Sequence, residues 1–265
     1  MSQNIFLVDI NRCNGCHSCQ IACKDEHCGT SWMPYAAEQP DTGQFWCGVQ
    51  EEVHGTVPKV NITYTPLIGA QTEAIRNYAP EVLMDREDGL IVIDPAKAKG
   101  RQDIADTFAG VYWNEELQIP QGCTGCAHLL DDGWAAPRCV DACPIGGLRF
   151  GDKSEFSEEL SRAEKLDPLS NVYYLNLPKR WVAGQLIDQE ADEVVIGATV
   201  SMKALDGDNP ESYETTTDEF GDFWFRGVGK ADYRVAIQAE GYASQEKTVS
   251  TKDADCNIGM VFLDK

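Results

Sequence analysis

CNGCHSCQIACK, residues 13–24, places Cys13, Cys16, Cys19 and Cys23 at the spacing C-x2-C-x2-C-x3-C, and the residue that follows them is Lys24, where such runs usually close with proline. A second quartet, Cys123, Cys126, Cys139 and Cys143, follows C-x2-C-x12-C-x3-C and does end in Cys143-Pro144. The two quartets take most of the 11 cysteines in the 265-residue chain. Disulfides fit poorly, because cysteines two residues apart on a tight loop point toward a common centre and not at each other. A four-cysteine zinc site accepts C-x2-C pairs and is the competing reading, but it rarely uses three cysteines at consecutive x2 spacings with a fourth after x3. The spacing favours iron–sulfur cubanes.

Three cysteines at x2 spacing wrap a loop around three corners of a cube and turn backbone amides toward its sulfides, where they stabilise the reduced charge. A cysteine four residues on has entered the next helix and faces away, so in two-cluster ferredoxins it ligates the other cluster. This crossing assigns Cys13, Cys16, Cys19 and Cys143 to one cluster and Cys123, Cys126, Cys139 and Cys23 to the other. Lys24 lets a helix continue through CKDEH, whereas Pro144 in CPIGG stops one. The gap AHLLDDGWAAPR asks for a helix and a loop before Cys139.

CNGCHSCQIACKDEH, a long middle segment and QGCTGCAHLLDDGWAAPRCVDACPIGGLRFGD together resemble the first and last cysteine motifs of the iron–sulfur subunits of the dimethyl sulfoxide reductase family of molybdopterin enzymes, over about residues 4–152. Those subunits usually carry two further cysteine motifs. Here REDGLIVIDPAKAKGRQDIADTFAGVYWNEELQIPQGC resembles the third motif and the strand before it, with Ala98, Arg101, Ile104 and Phe108 where cysteines would stand. TPLIGAQTEAIRNYAPEVLM resembles a second motif emptied of cysteine. Two 4Fe-4S clusters are therefore expected, not four. IDPAKAKG followed by YWNEE is most similar to the small subunits of pyrogallol-phloroglucinol transhydroxylases and related anaerobic phenol-modifying enzymes. The resemblance implies a large molybdopterin catalytic subunit as partner, with a molybdenum bis-pterin cofactor, and phenolic or catechol-type substrates; another molybdopterin reductase is the alternative. It also implies that the clusters built from the first and last motifs lie next to the molybdenum subunit, while the missing middle pair would lead outward to a membrane quinone partner. A soluble electron carrier is then a further expected partner.

Beyond Lys179 cysteines become scarce, apolar alternation appears, and turn signals recur about every ten residues. Val182, Gly184 and Leu186 are expected on one face of a strand, Tyr233, Val235 and Ile237 on one face of another, and Ile258, Met260 and Phe262 on one face of the last. VAGQLID, GATVSMKA, TTTDEFGDFWF, YRVAIQAEGY and NIGMVFLD resemble the transthyretin-like or carboxypeptidase-regulatory β-sandwich over residues 181–265. The acidic runs DQEADE and LDGDNPE lack the full calcium-loop order and read as solvated turns.

The expected fold is α+β: a ferredoxin-like two-cluster domain over residues 1–178, with a degenerate, cluster-less middle ferredoxin-like insert over about 57–112, followed by a seven-stranded sandwich over 181–265. No phosphate-cradling glycine loop or nucleophile–base pair stands out, so no catalytic residue is expected and the chain is not an enzyme alone. Cys28, Cys47 and Cys256 read as small buried apolar residues. His17 reads as a solvent-facing loop residue, and His27, His54 and His128 receive no role. A net charge of -21 argues against nucleic acid and anionic membrane surfaces as partners. The start, MSQNIFLVDINRC, lacks the pattern of a secretory signal and no apolar run approaches the roughly 20 residues of a membrane helix, so the chain reads as cytoplasmic. A free-standing ferredoxin and a zinc-stabilised interaction scaffold are the readings from other classes; the first would hardly need a whole sandwich, and colour separates the second.

Overall fold

A computed structural model describes residues 3–205 and 211–265. The chain divides into two compact units, one made of residues 1–52 and 63–177, the other of 53–62 and 178–265. The later break lies between Leu177 and Pro178, and residues 53–62, counted in the sequence reading with the first domain, group with the second unit.

In the first unit, β1 (Asn4–Asp9) leads into α1 (Ser18–His27), and a hairpin of β2 (Cys47–Thr56) and β3 (Lys59–Ile68) follows, whose residues 53–62 count with the second unit. Then come α2 (Glu73–Tyr78), α3 (Gln102–Thr107), a second hairpin of β4 (Val111–Asn114) and β5 (Ile119–Gly122), α4 (Ala127–Asp131), α5 (Arg138–Asp141), β6 (Leu148–Asp152), α6 (Ser157–Leu160) and β7 (Val172–Leu175). Ile5, Phe6, Leu7 and Val8 are all fully buried, a continuous apolar run instead of an alternating one. The reason is position: β1 is central, antiparallel to β6 and parallel to β7, with both faces covered. Phe6 and Val8 face a core that also holds Cys19, Cys23, Cys47, Cys123 and Cys139, while Ile5 and Leu7 pack with Phe156 and Leu175. The strand expected in GLIVID is reduced to one isolated bridge, Leu83 to Ile93. There the buried Gln71 side chain takes the place of a neighbouring strand, donating to the Ile91 and Cys123 carbonyls and accepting from the Ile91 amide.

The second unit contains β8 (Arg180–Asp188), β9 (Thr199–Ala204), β10 (Ser212–Thr216), β11 (Asp222–Val228), β12 (Asp232–Gln238), β13 (Gln245–Ser250) and β14 (Cys256–Leu263). They form a four-stranded sheet, β10-β9-β12-β13, and a three-stranded sheet, β11-β8-β14, whose inner faces share one apolar core. Val182, Leu186, Tyr233, Val235 and Ile237 enter it as expected. The last strand does not obey its alternation: Val261 and Leu263 are buried, whereas Met260 and Phe262 are exposed. A register shift between Asn257 and Met260, with Gly259 at φ +77, adds a residue and reverses the parity. Within this unit the 53–62 segment is held by polar side-chain contacts: His54 Nδ1 lies 2.7 Å from Asp255 Oδ2, and Lys59 Nζ lies 2.5 Å from Asp222 Oδ2. In DQEADE, Asp188 accepts the Glu190 and Ala191 amides and pairs with Lys265, so the run is a turn clasp. Residues 206–210 of LDGDNPE lie outside the described residues.

Candidate iron–sulfur centres

Each quartet opens with the same four-residue pattern, C-N-G-C at 13–16 and C-T-G-C at 123–126. The shared glycine adopts a left-handed conformation, φ +70 at Gly15 and φ +64 at Gly125, and a side chain there would run into Tyr64 or Leu90. The turn aims the glycine amide back at the first sulfur of its loop: Gly15 N–H donates to Cys13, and Gly125 N lies 3.3 Å from Cys123 Sγ. A second left-handed residue, His17 or Cys126, then starts α1 or α4. Further amides point at Cys19 from Gln20 and at Cys126 from Arg138. Such N–H groups suit anionic sulfur better than a neutral thiol.

The fold brings the eight sequence-predicted cysteines together in two sets. Cys13, Cys16, Cys19 and Cys143 line one small apolar pocket, bounded by Val49, Pro66 and Leu148. Cys23 feels the negative charge of Cys139, Cys123 and Cys126. Because Cys19 and Cys23 lie one turn apart on α1, a single helix serves both sets, and it packs against α5, which carries Cys139. Burial and then mutual repulsion push the Cys23 and Cys126 thiols well up, and burial first takes Cys123 up to about 12. Cys13 is raised for the same reasons. Sites that crowd thiols in this way need cationic charge before the sulfurs can ionise together, so they fit a group bearing several irons. Thr124, inside the second loop, has a buried hydroxyl without a protein partner, which sulfide acceptors would satisfy. Among the described residues, no three His, Cys, Asp or Glu side chains converge as a single-ion site does.

Sequence reasoning gave His27 no role, yet it is 1% exposed and its Nε2 lies 3.9 Å from Cys126 Sγ. Burial, with His128 beside it, lowers its pKa to about 3, so the imidazole is neutral. Trp46 and His128 pack on its ring, and Trp32 stacks on His128, which bonds Glu26. The available signal was spacing: Cys19, Cys23 and His27 recur every four residues and are the buried face of α1. His17 is half-buried, with Nδ1 3.2 Å from Gln20 Oε1. Cys47 is buried, as read, but it packs in the same core as both sets. Cys28 and Cys256 are partly exposed, unlike that reading.

The positions that resembled emptied motifs form an apolar core. Ala98 and Ile104 are fully buried with Ile75, Ala79 and Val82, and Phe108 packs on them. Arg101 turns outward to Glu81 and Asp103.

A family described as a 4Fe-4S dicluster domain matches residues 71–153, and one described as a carboxypeptidase regulatory-like domain matches residues 182–260. The pyrogallol hydroxytransferase small subunit of Pelobacter acidigallici is 32% identical over 99% of this chain and 100% of its own length. A chain of the anaerobic dimethyl sulfoxide reductase of Escherichia coli is 26% identical over 64% of this chain and 83% of its own length. A tetrathionate reductase subunit of Salmonella typhimurium is 28% identical over 55% of this chain and 56% of its own length. With full-length similarity at that level over paired cysteine sets and a regulatory-like sandwich, the chain belongs to the iron–sulfur subunits of the molybdopterin oxidoreductases.

Proposed function

We propose that the chain carries two 4Fe-4S clusters, one held by Cys13, Cys16, Cys19 and Cys143, the other by Cys23, Cys123, Cys126 and Cys139, and serves a large molybdopterin subunit that modifies phenolic aromatics by hydroxyl transfer or reductive dehydroxylation. Bound there, the clusters supply one-electron transfer. The observation that carries the reading is the crossing, with Cys143 in the first set and Cys23 in the second. The apolar core at Ala98, Ile104 and Phe108 supports two clusters and not four. Cys16 is exposed while Cys23, Cys123, Cys126 and Cys139 are buried, which makes the first site the accessible one. The phenolic substrate class rests on the full-length similarity to the pyrogallol hydroxytransferase small subunit.

Anaerobically purified protein should hold about eight irons per chain, four for each cluster. In Cys23→Ser the cluster of Cys123, Cys126 and Cys139 should be damaged while that of Cys13, Cys16 and Cys19 keeps its spectrum. Twelve irons, or loss of the first cluster instead, contradicts the assignment. Co-purification of the large subunit, with its molybdenum content and its activity on phenols, tests the substrate class separately. A reductase with no action on phenols would transfer the chain to the relatives that act on sulfoxide or tetrathionate.

A further inference from the structure

A cavity of about 730 Å³ opens in the first unit, and no cysteine lines it. That volume falls among small-molecule sites, which span about 300–1,000 Å³. Residues 69–72 and 107–110, from the two segments that resemble emptied motifs, form one side of it, with Phe108 at a position where a cysteine would stand. Residues 48–50 of β2 and the stretch from Leu166 to Tyr174 form the rest. The walls are tied to one another. Gly69 and Gly110 touch so closely that a Cβ on either would collide with the other, and the Gly69 amide donates to the Trp46 carbonyl at 3.0 Å. The Tyr112 hydroxyl donates to the Phe45 carbonyl at 3.1 Å, while the Asn171 amide and the Ser170 hydroxyl donate to the Gln71 carbonyl at 2.8 and 3.0 Å. The cavity is therefore preformed.

Its lining selects a ligand chemistry. Phe45, Phe108, Tyr112 and Tyr174 place aromatic rings around it, which suit a flat ring. Among the described residues no Lys, Arg or His lines it, and its one charged side chain is Asp167. In a chain of net charge -21 such a site repels phosphates and carboxylates. Asp167 accepts the Thr72 hydroxyl at 2.6 Å through Oδ2 and the Leu169 amide at 2.9 Å through Oδ1, and each oxygen keeps a second lone pair for a ligand hydroxyl. Gln20 accepts the Val49 amide at 3.0 Å through Oε1, which fixes its side chain and leaves the amide nitrogen as a donor. We infer that this cavity is a binding site for a neutral aromatic molecule carrying hydroxyl groups, its ring among the four aromatic side chains and its hydroxyls on Asp167 and Gln20. The site borders the first cysteine set, since Val49 lines both spaces. It does not rest on the cluster assignment, because its walls contain no cysteine.

The probe is resorcinol, a neutral dihydroxybenzene, titrated into the full iron-loaded chain by isothermal titration calorimetry, with benzoate as an anionic ring of similar size. Two variants fill the cavity, Gly48→Leu from β2 and Ala109→Leu from the loop after α3. A Cβ at Gly48 meets nothing within 4 Å and Ala109 is exposed, so both variants should keep wild-type iron and unfolding midpoint. If one of them does not, the other decides. The expected result is a single saturable resorcinol site that binds benzoate more weakly, with resorcinol affinity reduced by about tenfold or more in the leucine variants. Absence of saturable resorcinol binding to wild type, unchanged affinity in a folded leucine variant, or benzoate bound as tightly as resorcinol overturns the inference. Leucine variants that lose the large subunit, when wild type ignores resorcinol, make the cavity a socket for that subunit and overturn it as well.

Discussion

On the buried face of α1, three side chains one turn apart divide the work: Cys19 belongs to the first set, Cys23 to the second, and His27 reaches Cys126. Neutral His27 can donate from Nε2 to Cys126 sulfur, and its ring is wedged between Trp46 and His128. His27→Phe keeps an aromatic ring against these neighbours and removes the donor. The second cluster's potential should fall while the first cluster's stays, with iron content unchanged, as measured by redox titration of each cluster. Equal movement of both clusters would show that the helix, and not the hydrogen bond, had changed. The eight cysteines proposed as ligands stand out in the sequence because their spacing is local, and the proposed crossing follows from where a helix turns the fourth thiol. His27 carried only a weak local signal, its place four residues beyond Cys23.

Among the elements, α2 and α3 show how a motif without cysteines remains structural. Ile104 on α3 is fully buried against Ile75, Ala79, Val82 and Val111, so the segment is held by apolar packing. Ile104→Ala should cost about 2–5 kcal/mol, from the lost methyl groups and the cavity they leave. A lowered midpoint in thermal unfolding of the iron-loaded protein, with iron content unchanged, is the expected result; loss of irons would mean that this core supports a cluster directly. Local packing also explains where alternation was read correctly and where it was not. Tyr233, Val235 and Ile237 on β12 follow a regular ladder with β9 and β13. On β14 a bulge at Gly259 inserts one residue, and everything beyond it changes face. A glycine in a strand was the available cue, but the need for a bulge comes from pairing with β8, a partner more than 70 residues away. A tertiary clasp was likewise invisible: Arg86 grips Asp131 with two hydrogen bonds of 2.9 Å each, and Asp131 accepts the Tyr35 hydroxyl at 2.6 Å. The guanidinium holds the Asp131 carboxyl down at about 2.

For the molecule as a whole, the core around the cysteines and the core of the sandwich are separate sets of residues, and the sandwich core includes none of the eight candidate ligands. Removing iron should therefore loosen residues 3–52 and 63–177, where the proposed ligands' charges lose their compensation, and leave 178–265 protected. Hydrogen exchange of loaded and stripped protein measures this, and equal loss of protection in both segments would contradict it. The route of the electrons is a question at the same scale. The resemblance implies two middle clusters that continue the relay outward, whereas here Ala98, Ile104 and Phe108 belong to an apolar core. Among the described residues no helix is long and apolar enough to cross a membrane. Of the cysteines proposed as ligands Cys16 is the exposed one, so exchange with a carrier is expected on its side. With a net charge of -21, the chain attracts a carrier that presents basic groups, and the encounter rate should fall as salt screens that attraction. The purified complex of this chain with its large subunit should accordingly turn over a phenolic substrate without membranes or quinol, using a soluble low-potential donor where reduction is needed. Steady-state assays across ionic strength provide the measurement, and two results decide. Activity without membranes that declines with salt supports direct exchange at the first cluster. Strict dependence on quinol and an integral membrane subunit would mean that the relay leaves this chain by another path, and the apolar middle would then be no guide to where electrons go.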